Sequence, residues 1–195
     1  MVMVVETFDP VTITDISVQF MQDDGTKSPG TKFGAAGTVG GETLLRQIIK
    51  REEGIEVAKR TKAEKMTLTV SAHVKLKVLR DIFGFSNTDL KPGIYSYGTD
   101  SKAKRFTLTA NAIDEFEDVT KLMAFPDCIS ATGFTFNIEN GADEVALMEI
   151  SLEAYPDDFK QILYEAMVEE LEDQTIPTTW HTQFDRTLVE VVPTP

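Results

Sequence analysis

The sequence has a single cysteine and only two histidines among its 195 residues, which limits the chemistry that it can carry. One cysteine, Cys128, excludes an intramolecular disulfide framework and a multi-cysteine zinc site, and we interpret it as a small core or strand-edge residue. His73 and His181 are too few and too weakly accompanied for the usual general-base or zinc arrangements. We therefore predict that the protein is not an enzyme and needs no cofactor or metal.

Two stretches resemble ligand-binding motifs but lack residues that those motifs require. Residues 37–43 are glycine-rich but lack the Gly-Lys-Ser/Thr ending of a phosphate loop. The acidic group Asp114, Glu115, Glu117 and Asp118 lacks the ligand spacing and central glycine of an EF-hand, so we interpret it as a solvated loop. Paired carboxylates of a glycoside hydrolase have no specific support, because any acidic β protein contains candidate pairs.

Long hydrophobic runs are also missing. No run approaches the roughly 18 to 20 apolar residues that span a bilayer, and Met1 to Val5 lacks the basic and apolar regions of a signal peptide. We expect a protein that is made in, and stays in, the cytoplasm, with no membrane partner. The length and a hydrophobic content of 42% favour one domain over residues 1–195, with an N-terminal arm at residues 1–10.

Basic residues are scarce. There are 19 Lys and Arg against 32 Asp and Glu, a formal charge of −13, and residues 99–195 carry the excess with 6 basic and 20 acidic side chains. Nucleic-acid binding needs clustered Lys and Arg that displace counterions, so this composition disfavours it. An acidic wall can still face DNA without gripping it, although a solvated face that keeps the protein soluble explains most of these residues.

Alternating apolar residues predict an antiparallel, mainly β fold. The alternation from Val11 to Phe20 changes phase at Thr14-Asp15, as a β-bulge would produce. The other predicted strands are Met66 to Ala72, Phe106 to Ala112, Phe134 to Ile138 and Ala146 to Ala154, with a hairpin turn at Asn140-Gly141. Residues 22–41 hold six glycines and a proline and predict a loop or tight turns.

Helical periodicity is limited to short segments. Ser71 can begin a helix whose apolar face holds Val74, Val78, Leu79, Ile82 and Phe83, and Gly84 can end it. Residues 42–65 fit either a helix or a long hairpin, and we favour extended structure. Asp157 to Leu171 predicts a second helix with Phe159, Ile162, Leu163, Ala166 and Met167 on one side. Residues 174–195 are expected to be an arm that orders only on a partner, so residues 157–195 form a C-terminal helix and arm extension.

Five phrases of the sequence, in their order and spacing, resemble the major tail protein, or tail tube protein, of long non-contractile-tailed bacteriophages and prophages of Gram-positive bacteria. They are Ser71 to Val74, Asp81 to Gly84, Lys91 to Gly98, Asp114 to Asp118 and Ile138 to Glu144. The resemblance covers about residues 31–158, and the C-terminal stretch departs from it.

The resemblance implies a β-sandwich or barrel-like subunit with a helix on its flank. Six copies would close into a ring, and rings would stack into the hollow tail tube of a virion, through which DNA is ejected without specific binding. Tape-measure, tail-tip initiator and tail terminator proteins are the implied partners. Pairing of strand edges around a closed ring would remove the aggregation hazard of free edges. We predict Phe33, Leu44, Ile48 and Trp180 as subunit-interface residues.

Three alternatives remain open. A tube protein of a phage-tail-like bacteriocin or a secretion-system ring would use the same fold and self-assembly. A monomeric β-sandwich binding module on the virion, with carbohydrate as one class of ligand, would show exposed aromatic platforms, which four Tyr and one Trp do not favour. An acidic hydrolase is disfavoured by the lack of a catalytic constellation.

Overall fold

The structure is a computed structural model that describes residues 4–136 and 147–191. Strands dominate these residues, and the α-helices are short. The strands are β1 (Thr12–Phe20), β2 (Thr31–Lys32), β3 (Gly34–Glu52), β4 (Ile55–Val74), β5 (Phe106–Asp114), β6 (Val119–Ser130), β7 (Met148–Tyr155) and β8 (Tyr164–Met167). The helices are α1 (Leu76–Phe83) and α2 (Ile176–Trp180), and 3-10 turns span Val168–Glu170 and Arg186–Leu188. The prediction of a mainly β chain with a short flanking helix is confirmed.

The strands form an antiparallel sheet in the order β2-β1-β5-β6-β7-β4-β3, with β8 attached to β6. β2 and β3 lie at opposite ends of this order, yet only Phe33 separates them in the chain. The Phe33 N–H donates to the Ile16 carbonyl on β1, and its carbonyl accepts from the Lys75 N–H just after β4, each at 2.8 Å. One residue therefore bonds both ends of the sheet, which curls back on itself in a barrel-like form.

The predicted β-bulge in the first strand is present. The register between β1 and β5 shifts between Thr14 and Ser17, and Asp15 has a φ of 52°. The shift resets the alternation, so that Ile16, Val18 and Phe20 all face the core.

The main core lies between the sheet and α1, which packs Val78, Leu79, Ile82 and Phe83 against it. The helix ends where the sequence predicts, because Gly84 adopts the left-handed conformation at φ 71° and donates to the Arg80 carbonyl. Its predicted start is wrong. Ser71 and His73 are strand residues, because β4 continues through Val74 while β3 pairs with it along this stretch.

The predicted loop over residues 22–41 is correct only in its first part, since β3 begins at Gly34. Several of these glycines serve packing within a strand rather than a turn. A Cβ on Gly41 would press on the Leu68 side chain, and one on Gly37 would press on Leu147. Gly30 lies so close to the C-terminal segment that a Cβ there would collide with the His181 carbonyl group.

The C-terminal predictions need correction. The predicted helix over residues 157–171 is instead a turn followed by β8, because Tyr164 to Met167 pair with Lys121 to Ala124 of β6. Residues 174–191 are packed on the sheet as part of the chain's own fold. Trp180 and Phe184 form a second core cluster with Leu122 and Ala124.

The sequence reading also missed β6, the strand that joins both halves of the sheet. Pro126 interrupts its pattern, and a proline in a central strand usually argues against one. Here the β5–β6 register shifts between Phe106 and Leu108 opposite the proline, and Thr107 Oγ1 donates to the Pro126 carbonyl at 2.7 Å. Phe134 and Phe136 lie outside any strand, and the predicted Asn140-Gly141 turn lies outside the described residues.

Candidate assembly surface

The long hairpin of β3 and β4 extends beyond the rest of the molecule. β7 pairs with β4 only from Met66 to Ala72, whereas the β3–β4 ladder continues from the pair Leu44 and Lys65 to the pair Glu52 and Ile55. All residues from Gly40 to Glu64 are exposed. At the usual rise of a strand this unsupported part is about 30 Å long. We call residues 42–65 the hairpin, and the preference for extended structure there is confirmed.

The hairpin turns through two residues. Glu53 and Gly54 have φ values of 51° and 85°, which is the type I′ geometry that matches the twist of paired strands. Two-stranded hairpins with no third strand are at most marginally stable in water. A segment of this length without cover is therefore a candidate for contact with another molecule.

Cross-strand partners share a face, so the ladder assigns each side chain to one of two faces. The inner face continues the core side of β4 beyond Met66. It holds Leu45, Gln47, Ile49, Arg51, Glu56, Lys59, Thr61 and Ala63. The outer face continues the solvent side and holds Glu42, Leu44, Arg46, Ile48, Lys50, Glu52, Ile55, Ala58, Arg60, Lys62 and Lys65. Both faces thus combine large aliphatic side chains with charges, and no other residue that the structure describes covers either face.

The hairpin differs in charge from the rest of the molecule. It holds seven Lys and Arg and five Glu, a formal charge of +2, so the remainder of the chain carries −15. Five of the seven cations lie on the outer face with two carboxylates, Glu42 and Glu52. The outer face is therefore a basic strip on an acidic protein.

An acidic region forms where three segments meet at one end of the sheet. The β5–β6 turn exposes Glu115, Glu117 and Asp118, and the carboxylate of Glu169 accepts from the Thr120 N–H at 3.2 Å. Residues near the N-terminus are held in the same place. Asp9 N–H donates to Asp114 Oδ2 at 2.7 Å, and Val5 N–H donates to Glu170 Oε1 at 2.8 Å. We call this region the acidic end; it comprises Glu6, Asp9, Glu115, Glu117, Asp118, Glu169, Glu170, Glu172 and Asp173.

The four predicted interface residues separate into two pairs. Leu44 and Ile48 lie on the outer face of the hairpin with 48% and 47% of their surface exposed. Phe33 and Trp180 are 0% and 1% exposed, because one closes the main core and the other fills the second core. Burial corrects our interpretation of these two, which serve the folding of the subunit. The role of Leu44 and Ile48 stays a prediction.

The titratable residues that we considered as candidates for catalysis or metal binding, Cys128, His73 and Asp114, do not form a reactive site. Burial raises the pKa of the Cys128 thiol, and its Sγ lies 3.7 Å from the Phe125 carbonyl. Such a thiol is protonated at neutral pH and is a poor nucleophile. His73 is exposed on β4. Asp114 is buried and accepts from the backbone N–H groups of Asp9, Phe116 and Glu117, which lower its pKa.

His181 is a structural residue of the packed C-terminal segment. Its Nδ1 lies 2.9 Å from Thr109 Oγ1, and its Nε2 lies 2.8 Å from Asn111 Oδ1. A neutral ring satisfies both contacts by accepting at Nδ1 and donating at Nε2. Burial lowers the pKa of the imidazole.

Two grooves are found on the described surface. The larger, of about 840 Å³, lies between α1 and residues 20–31 and contains the ion pair of Lys104 and Asp81. The smaller, of about 260 Å³, is lined by both charge signs, including Lys27, Arg186 and Asp157. Neither is lined by a histidine or a cysteine.

Among residues 4–136 and 147–191, no group of three or more His, Cys, Asp or Glu could hold a metal ion. In the same residues, no helix is long and apolar enough to cross a membrane.

An aromatic cluster lies beside α1. Phe85 stacks on Tyr97 at 5.1 Å between ring centroids, and Phe134 stacks on Phe136 at 5.8 Å. Phe136 has 71% of its surface exposed. This is a platform of the kind that we expected only of a binding module. It is built mainly from Phe, whereas the prediction against such a platform rested on the few Tyr and Trp.

No protein-family model matches the sequence, and no curated protein matches it. One solved chain, from the cryo-EM structure of the anti-feeding prophage (AFP) baseplate, 6-fold symmetrised, is similar at a TM-score of 0.39. The two sequences are 11% identical, and the match covers 82% of this chain and 97% of that chain. A likeness at this TM-score carries no conclusion about function.

Proposed function

We propose that the protein is the structural subunit of a phage tail tube, which assembles with copies of itself into stacked hexameric rings through which DNA is ejected. The proposal includes a place in the virion tail and contact with tape-measure, initiator and terminator proteins. The hexameric ring, the tube and the partner proteins are what the sequence resemblance implies. The structural support for self-assembly is the uncovered hairpin.

The hairpin supports self-assembly because its exposure is unfavourable for an isolated chain. Large aliphatic side chains point into water on both faces, and burial of apolar surface contributes about 25 cal/mol per Å². The free edges of β3 and β4 beyond β7 also present unpaired backbone groups. Such edges recruit further strands unless a neighbour covers them. A second copy that covers the hairpin would bury the aliphatic side chains and pair the free backbone groups.

Electron micrographs of the purified chain at rising concentration test this function. We expect rings with six-fold symmetry and then hollow tubes, with light scattering that rises above a threshold concentration. A chain that stays monomeric up to its solubility limit contradicts the proposal. Tube formation alone does not separate a virion tail from the tube of a phage-tail-like bacteriocin or secretion machine, which the neighbouring genes would distinguish.

A monomeric binding module is the second candidate, and the aromatic cluster favours it. Exposed stacked rings suit the faces of sugar rings as well as other aromatic groups. This candidate predicts a monomer whose intrinsic fluorescence changes on titration with oligosaccharides. Replacement of Phe136 by Ser would abolish that change.

A further inference from the structure

We propose that the outer face of the hairpin docks on the acidic end of a neighbouring copy in the same ring. The inference rests on the proposed function and names the partner surface for one face of the hairpin. It follows from the charges of the two surfaces, from the lack of ion-pair partners for them among the described residues, and from the direction of the strands.

The cations of the outer face are largely uncommitted within the described residues. Lys65 pairs with Glu153, and Lys50 pairs with Glu52. In the part of the chain that the structure covers, no carboxylate lies within 4 Å of Arg46, Arg60 or Lys62. These three side chains surround Ile48, so an acidic surface with some apolar area is the complementary partner.

The acidic end offers such a surface. Glu117, Asp118 and Glu172 are exposed, and over residues 4–136 and 147–191 none of them lies within 4 Å of a Lys or Arg nitrogen. Phe116, between two of the acidic residues, has 80% of its surface exposed. The end therefore combines uncompensated carboxylates with an exposed ring, as the outer face combines cations with Ile48 and Leu44.

Strand direction places both surfaces at the same end of the sheet. β4 runs from the hairpin turn into the body, β7 runs back, and β6 again runs in the direction of β4. Tyr155, the last residue of β7, pairs with Asp127, so the earlier part of β6 and the β5–β6 turn extend towards the hairpin side. Nevertheless no ion pair joins the hairpin to the acidic end among the described residues of one chain.

Because the outer face and the acidic end lie at the same end of the sheet, they favour contact between copies within one ring over contact between stacked rings. Copies related by rotation about an axis along the strands keep equivalent ends at one level, so a hairpin can reach sideways to the next copy. Copies stacked along that axis bring opposite ends together. The contact is heterologous, with a different surface on each side. Such contacts form a ring when the rotation between copies closes, and an open filament when it does not.

Reciprocal charge reversal tests the docking. The hairpin variant is Arg46→Glu with Lys62→Glu, and the acidic-end variant is Glu117→Lys with Glu172→Lys. Each variant alone brings like charges together and should raise the threshold concentration for assembly about tenfold or more. An equimolar mixture should assemble again, because every hairpin then meets an opposite charge in a ring that alternates the two chains. A chain with all four changes should also assemble.

Matched controls use the same changes of charge elsewhere. Lys91→Glu with Lys102→Glu, and Asp23→Lys with Asp100→Lys, alter exposed residues outside both surfaces and should leave the threshold unchanged. Circular dichroism and thermal unfolding verify that every variant is folded. High salt should raise the wild-type threshold, because screening weakens exposed charge pairs.

The outcomes separate this inference from the proposed function. Assembly of the hairpin variant at the wild-type threshold overturns the docking, and so does a mixture that fails to assemble while both variants are folded. In either case wild-type tubes would leave the proposed function intact. A wild-type chain that never assembles contradicts the proposed function itself.

Discussion

At the residue scale, His181 shows how a candidate functional side chain becomes a structural one. It lies in the predicted C-terminal arm, which we expected to order only on a partner, but its contacts with Thr109 and Asn111 lie within the chain. Both are residues of β5 at positions that periodicity assigns to the polar side of the strand. Sequence alone could not reveal that the C-terminal segment covers that side.

The lowered pKa of His181 predicts a specific pH dependence of stability. The unfolded chain takes up a proton near pH 6.5, whereas the folded chain resists it until a lower pH, so stability is lost as the pH falls below about 6.5. Asp15, which raises the pKa, and Lys32, which lowers it, modulate the effect. Replacement by Gln should lower stability at neutral pH and flatten this loss.

Urea unfolding of both proteins between pH 7 and pH 5 measures the difference. The carboxylates of Asp114 and Glu153 also have lowered pKa values, but their effect begins below the ordinary values of 3.8 and 4.5. Parallel slopes for wild type and variant above pH 5 would show that His181 does not titrate as proposed.

At the element scale, alternation identified four of the eight strands and failed where tertiary contacts decide the structure. β1, β5, β7 and the core half of β4 each have one buried and one polar side, which the sequence displays directly. β6 carries Pro126 and pairs with β5, β7 and β8 along its length, so its burial pattern is irregular. Residues 157–171 have helical spacing of apolar side chains, but pairing with β6 outweighs that preference.

The hairpin was predictable as an element, whereas its role was not. Leu44 and Ile48 were singled out from the sequence, and both lie on the outer face. Whether they share a face with the basic side chains depends on the register between β3 and β4. That register includes shifts at Leu44/Leu45 and Lys50/Arg51. A one-residue error in register would have reversed the faces.

Replacement of both Leu44 and Ile48 by Ser tests the apolar part of this face. Because both side chains are exposed in the isolated chain, the thermal unfolding temperature of the monomer should change little. The threshold concentration for assembly should rise about tenfold or more, since each apolar side chain buried at a contact contributes about 1 to 3 kcal/mol. Analytical ultracentrifugation measures the threshold, and Val191→Ser, another exposed apolar position, is the control. An unchanged threshold would exclude these two residues from the contact.

At the scale of the whole molecule, a curled sheet carries the long hairpin, which extends beyond the other described strands. The barrel-like body buries its own core and ties both ends of the sheet together at Phe33. It also orders the C-terminal segment without a partner. The unsatisfied surface is thereby concentrated in the hairpin, which carries basic charge on an otherwise acidic protein.

Removal of the hairpin tests the central claim most directly. Thr43 and Met66 are paired, so an Asn-Gly turn can join them in place of residues 44–65. The measurement is the sedimentation and electron microscopy of this variant beside the wild type at equal concentration. We predict rings and tubes for the wild type and a folded monomer with a near wild-type thermal unfolding temperature for the variant. Tubes formed equally well by the shortened chain would contradict the account.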